Sequence, residues 1–157
     1  MAVTAAEIRQ SYPLPVYNFR VEIGSEAIGF SEVSGLSMGF EITTYKESAV
    51  ESGAPGPRTL HMPTQHTAPT ITLKKGLVRG TSVNTLYKWF ASTALNQVEK
   101  RDVFVRLCDE AGAPVISWRI INAFPSKLDA PTFDAKSNDI AIESMELRAD
   151  RITVEEA

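Results

Sequence analysis

The sequence predicts a mainly β fold: a β-barrel or sandwich of about seven to eight antiparallel strands, with one α-helix and a long protruding loop. Three observations carry this. Apolar residues recur at every second position through most segments. Only one stretch, SVNTLYKWFASTAL (82–95), shows helical spacing. Glycine, proline, serine and asparagine cluster between the alternating runs.

In chain order, residues 1–12 read as a loose N-terminal arm, after which Pro13 and Pro15 hold the backbone extended. YNFRVEI (17–23) alternates, with Tyr17, Phe19, Val21 and Ile23 on one face and Asn18, Arg20 and Glu22 on the other. Gly24-Ser25-Glu26 turns into AIGFSEV, the second arm of a hairpin. GLSMGFEITTYKE (35–47) alternates again, placing Leu36, Met38, Phe40 and Ile42 together, and Gly39 marks a bulge or close approach. The segment 46–59, crowded with glycine, proline and serine, reads as an extended loop too long for a hairpin turn. TITLKKG (70–76) is a strand with Ile71 and Leu73 inward. The helix is capped by Ser82 or Asn84 and shows an apolar stripe of Leu86, Trp89, Phe90 and Leu95. DVFVRLCDE (102–110) and PVISWRIINAF (114–124) are strands joined by Glu110-Ala111-Gly112-Ala113, apolar enough for burial on two faces. A last strand starts near Asp139. Its apolar parity switches from Ile140 and Ile142 to Met145 and Leu147, which predicts a bulge or apolar contact on both sides.

The 157 residues fit a single domain, 1–157, with one core. A net charge of −3 lacks the basic field that tight sequence-independent DNA binding needs, and no sequence-specific nucleic-acid binding is expected. No apolar run reaches membrane-spanning length, so no membrane anchor is expected. The N-terminus lacks a cationic segment followed by an apolar one, which predicts cytoplasmic synthesis without a signal peptide. With only Cys108, no intrachain disulfide can form.

No constellation points to catalysis, a cofactor or a metal. Asp129, Asp134 and Asp139 are spaced five apart with Pro131 and Phe133 between, unlike a calcium loop, and read as turn and cap residues. His61 and His66 read as surface-loop histidines without further ligands at metal spacing. Cys108 reads as a small strand hydrophobe. Uncovered strand edges in such a domain suit self-assembly, since pairing with identical neighbours closes a ring and removes the edges.

YPLPVYNFRVEIG followed by IGFSEVSGL, LKKGLVRGTSVNTLYKWF, LNQVEKRDVFVRLCDEAG, SWRIINAFP and FDAKSNDIAIESMELRADRI occur in an order and spacing that resembles the tail-tube proteins of contractile phages. They resemble more closely the inner-tube subunits of extracellular contractile injection systems, relatives of the type VI secretion tube protein. The likeness covers about Tyr12 to Val154, and ESGAPGPRTLHM departs from it in being longer and richer in glycine and proline. The resemblance implies a non-enzymatic subunit of a bacterial or archaeal particle that works outside the cell or as part of a virion. Homo-hexameric rings would stack into a hollow tube inside a sheath, start on baseplate or tube-initiator proteins, and carry cargo or toxin in the lumen. On that expectation Lys46, Glu47, Glu51 and Arg58 belong to an inter-ring loop. Phe124, Trp89, Arg148, Asp150 and Arg151 are subunit-interface candidates, with core packing the competing reading for Trp89 and Phe124. Arg20, Glu22, Glu41, Thr43 and Glu143 are lumen-facing candidates. The alternatives are a tube-initiator or terminator ring of the same particle, a monomeric β-barrel that binds a ligand, and an enzyme, for which no nucleophile and base are placed.

Overall fold

The computed structural model describes Ala2 to Glu156; Met1, at the start of the expected arm, and Ala157, at the end of the expected domain, lie outside the described residues. Ten strands follow one another: β1 (Phe19–Ile23), β2 (Glu26–Ile28), β3 (Glu32–Ser34), β4 (Phe40–Glu47), β5 (Arg58–His66), β6 (Thr70–Gly76), β7 (Arg101–Cys108), β8 (Pro114–Asp129), β9 (Ile142–Arg148) and β10 (Arg151–Glu156). Seven form one antiparallel path, β2-β1-β7-β8-β9-β6-β3, β10 joins it on β8, and β4 pairs with β5 alone.

β8 joins the two halves of the sheet. Its first half lies between β7 and β10, and its second half pairs with β9. The strand bends at Asn122, whose φ of 54° lies in the left-handed region that asparagine tolerates. The Asn122 backbone N–H donates to Asp102 Oδ1 at 3.1 Å and its amide to Asp150 Oδ2 at 2.8 Å, so β7 and the connection between β9 and β10 both hold the bend. The strand expected over 114–124 therefore continues through the bend to Asp129.

The bend folds the sheet over one core. Val21, Ile23, Val103, Val105 and Ile120 come from one half, and Ile71, Leu73, Met145 and Leu147 from the other. Each such side chain contributes about 1.5–3 kcal/mol by leaving water. Leu86 and Trp89 from the helical segment complete the cluster, and the Trp89 indole N–H donates to the Glu99 carbonyl at 2.7 Å.

Several elements differ from the sequence reading. The arm contains a helix, α1 (Ala5–Ser11), opened by a capping box in which the Thr4 hydroxyl accepts from the Glu7 N–H and Glu7 accepts from the Thr4 N–H. α1 buries no residue. Tyr17 sits in a turn before β1 and is exposed. AIGFSEV is divided, since β2 pairs with β1 while β3 pairs with β6. Helix 82–95 is shorter and differently wound: Ser82–Tyr87 form wide π turns and Lys88–Ala91 an α turn, α2. Neither Ser82 nor Asn84 caps it; buried Ser82 instead accepts the Val78 N–H at 3.1 Å. Leu95, 90% exposed, leaves the apolar stripe beyond the helix end. The strand expected from near Asp139 begins at Ile142 as β9, with buried parity Glu143, Met145 and Leu147 and with Ile140 and Ile142 outside, and a separate last strand, β10, follows it.

Candidate assembly surfaces

β4 and β5 are the largest departure. The stretch expected to be loop from 46 to 59, and the surface-loop histidines after it, contain the ends of a hairpin. The hairpin continues the β3–β6 pair: moving eight residues outward from Glu32 opposite Lys74 reaches Phe40 opposite His66, with no change of register. The Thr67 N–H donates to the Gly39 carbonyl at 2.9 Å and keeps the two chains together between the ladders. Gly35 permits the passage. With φ +83°, it lies so close to β6 that a Cβ there would stand 2.2 Å from the Thr70 carbonyl oxygen. The bulge expected at Gly39 falls between Phe40 and Ile42. The result is a two-stranded ribbon with residues 48–57 as its tip, open on both faces: Phe40, Ile42, Tyr45 and Met62 are all exposed.

Of the loop candidates only Glu51 lies at the tip. Lys46, Glu47 and Arg58 are strand residues just below it, where Arg58 Nε pairs with Glu47 Oε1 at 3.4 Å. Among the interface candidates Trp89 is 1% exposed, so core packing accounts for it and it presents no surface to a partner. Its ring is faced by the Arg101 guanidinium at 5.0 Å. Phe124 is half-buried, with Lys100 Nζ at 5.8 Å from its ring. Arg148, Asp150 and Arg151 are exposed around the junction of β9 and β10, where Asp150 is already held by Asn122. Arg151 lines a cleft of about 330 Å³ at the hairpin root, together with Met38, Phe40, His66 and Ile152.

The lumen candidates also divide. Glu41 and Thr43 are exposed on the ribbon. Arg20 and Glu22 lie on the outer face of β1, where Glu22 pairs with Arg20 at 3.4 Å and with Arg106 at 3.1 Å. Glu143 is a correction: it is 5% exposed and points into the core beside Lys75, its opposite number on β6, so it faces no lumen. Glu143 Oε1 has no hydrogen-bond partner, and Lys75 donates to the Gly76 carbonyl at 3.0 Å.

The outer face of β7 and β8 carries a further charged group that the sequence reading missed. Asp102 Oδ2 accepts from Arg119 at 2.6 and 3.1 Å. That bond and the Asn122 N–H hold the Asp102 carboxyl below its ordinary range, and the bond to Asp102 raises the Arg119 guanidinium. Phe104 lies between Arg106 at 4.7 Å and Arg119 at 5.8 Å. Two-residue spacing in 102–106, with opposite charge on the next strand, is the only signal the sequence offered. Among the described residues β2 and β3 end the path, β10 has β8 as its sole neighbour, and β4 and β5 pair only with each other, so each keeps an open margin. Turn chemistry accounts for Asp134, which accepts from the Lys136 N–H at 3.0 Å. Among the described residues no group of three His, Cys, Asp or Glu is placed to hold a metal ion, and no helix is long and apolar enough to cross a membrane.

The profile of the T4-like virus tail tube protein gp19 family matches residues 15–153. A chain in the cryo-EM structure of the sheath-tube complex of an extracellular contractile injection system, PVC, in its extended state superposes with a TM-score of 0.89 at 38% identity, covering 99% of this chain and 100% of that one. A chain in the structure of the anti-feeding prophage tube terminating cap gives 0.84 at 41% identity, with 100% of both chains covered. Hcp1 from Flavobacterium johnsoniae shares the fold at 17% identity, with a TM-score of 0.51 over 88% of this chain and 95% of that one. No curated protein sequence matches the chain.

Proposed function

Because the chain belongs to the T4-like virus tail tube protein family, we propose that six copies close into rings, and that the rings stack as the inner tube of a contractile injection particle. The observation that carries this is the set of open margins at β2, β3 and β10 together with a ribbon uncovered on both faces. A lone two-stranded ribbon is marginal in water, and unpaired margins invite another chain. Pairing around a ring satisfies both.

In this reading the tube performs no chemistry. A surrounding sheath drives it, a baseplate or tube-initiator ring starts it, and cargo travels in the lumen. The subunit acts in an extracellular or virion-like particle. Arg20, Glu22, Glu41 and Thr43 remain the lumen candidates, a set of both charge signs that lets cargo slide without tight binding.

The 41% identity to a chain of a tube terminating cap favours one second reading, a terminator ring of the same particle. The purified chain separates the two in native mass spectrometry and negative-stain electron microscopy. Hexamers that grow into long tubes are the expected result. Hexamers that never stack indicate a terminator or initiator ring, and a chain that stays monomeric at high concentration refutes both.

A further inference from the structure

We propose that Lys75 is a displaceable cap on the open end of β6. Its ammonium holds the Gly76 carbonyl in the lone chain, yields it to a backbone N–H of a second copy when copies pair, and withdraws onto Glu143. This rests on the reading that copies pair at open strand margins, and names how one margin is guarded and released.

The ladder fixes which way each group points. β6 and β9 pair from Thr70 opposite Arg148 to Gly76 opposite Ile142, and the Leu77 N–H donates to the Ala141 carbonyl at 2.9 Å. Successive residues of an antiparallel strand turn their N–H and carbonyl alternately to one neighbour and to the other side. Leu77 bonds toward β9, so Gly76 turns its carbonyl to the far side, as Lys74 does. There the Lys74 carbonyl accepts from the Ser31 N–H at 2.7 Å, and β3 pairs from Glu32 opposite Lys74. Upstream of Ser31 the chain leaves for β2, which pairs with β1. The Gly76 carbonyl is the next acceptor on that side, beyond the start of β3, and Lys75 Nζ donates to it at 3.0 Å. Lysine at an unpaired margin is one of the means by which sheets keep other strands off.

The second landing site is already built. Among the described residues Lys75 and Glu143 are the only charged side chains that are buried, 4% and 5% exposed, so each is the other's only buried counter-charge. They stand directly opposite in the ladder, an arrangement that sets Cβ atoms about 4.5–5.5 Å apart. Glu143 Oε1 has no hydrogen-bond partner, and the two head groups form no ion pair. A bond between opposite charges away from water is stronger than one from the same ammonium to a neutral carbonyl. When an incoming N–H takes the Gly76 carbonyl, the ammonium satisfies the carboxylate and no group is left over. In the lone chain the Glu143 oxygen is left over.

The test measures the concentration at which the purified chain begins to sediment as assemblies, and thermal unfolding below that concentration. Glu143→Gln removes the landing charge and keeps the shape. It should melt no lower than wild type, because Glu143 Oε1 bonds nothing in the lone chain. Its assembly threshold should rise about tenfold, because the ammonium stays on Gly76. Lys75→Met/Glu143→Gln has neither cap nor charge and should assemble at the wild-type threshold, a recovery that a merely structural carboxylate would not show. The proposal is overturned if Glu143→Gln melts lower than wild type, if it assembles at the wild-type threshold, or if its defect persists in the double variant. A wild-type chain that never assembles removes the self-pairing reading, and the proposal with it.

Discussion

Gly35→Ala tests the joint on which the ribbon depends. Two costs add at this position. An alanine at φ +83° lies in the left-handed region, at about 1–2 kcal/mol. Its Cβ would also stand 2.2 Å from the Thr70 carbonyl oxygen, where ordinary contact begins at 3.4 Å. Relief requires β3 and β6 to separate by about 1.2 Å, the difference of those two distances, next to fully buried Ile71. Forced separation of packed elements costs about 1–3 kcal/mol. A total near 3 kcal/mol lowers the melting temperature by about 6–12 °C in a domain of this size. Gly24→Ala is the control, because Gly24 has φ +63° and a Cβ there would meet nothing within 4 Å, so it carries the strain alone. Its cost of about 1 kcal/mol corresponds to about 2–4 °C. The assay is thermal unfolding of unassembled subunit followed by circular dichroism. A Gly35→Ala chain that melts no lower than Gly24→Ala would refute the close approach.

Two further outcomes follow from the packing and the charges. Trp89→Ala should destabilise the unassembled subunit by about 3–5 kcal/mol in urea unfolding; a subunit of unchanged stability that merely fails to assemble would return Trp89 to the interface. Asp102, with its carboxyl held low chiefly by the Arg119 hydrogen bond, contributes stability above the ordinary carboxylate range and loses it as pH falls through the lowered value. Wild type should therefore melt above Asp102→Asn at neutral pH, and the gap should narrow as pH falls below the ordinary carboxylate range; a constant gap would remove Asp102 from this role.

Burial within the chain decided what the sequence could reveal. β1 and β6 bury alternate residues, so their alternation was readable and Ile71 and Leu73 were placed correctly inward, whereas β7 and the first part of β8, read as buried on two faces, turn Val103, Val105 and Ile120 to the core and carry half-buried Arg106 and exposed Arg119 on the other side. β5 is exposed on both faces, and RTLHMPTQH carries no alternation to read, so it passed for loop. The first helix was legible in principle from Thr4 and Glu7, a capping-box spacing in front of Ile8. No local pattern announced the π turns of 82–87, which depend on packing against the sheet. Trp89 was visible as an apolar helix residue, but spacing alone could not distinguish core from interface.

The errors at the C-terminal strand have a common origin. Ile140 and Ile142 alternate as buried residues would, yet they are outside, while Glu143 is inside. A rule that places apolar side chains in the core fails where a chain also needs apolar side chains on its surface. Lys75 stands opposite Glu143 in the ladder, but its ammonium donates to the Gly76 carbonyl and Glu143 Oε1 has no hydrogen-bond partner. The same reasoning applies to β4 and β5. Their apolar residues have no intrachain surface to cover, and a ribbon of two strands gains little from its own hydrogen bonds. Register continuity with β3 and β6 anchors its root, and Gly35 makes that continuity sterically possible. Apolar residues that stay exposed on the ribbon and beside β9 are surface the chain does not cover for itself, which is where a pattern read only for an internal core goes wrong.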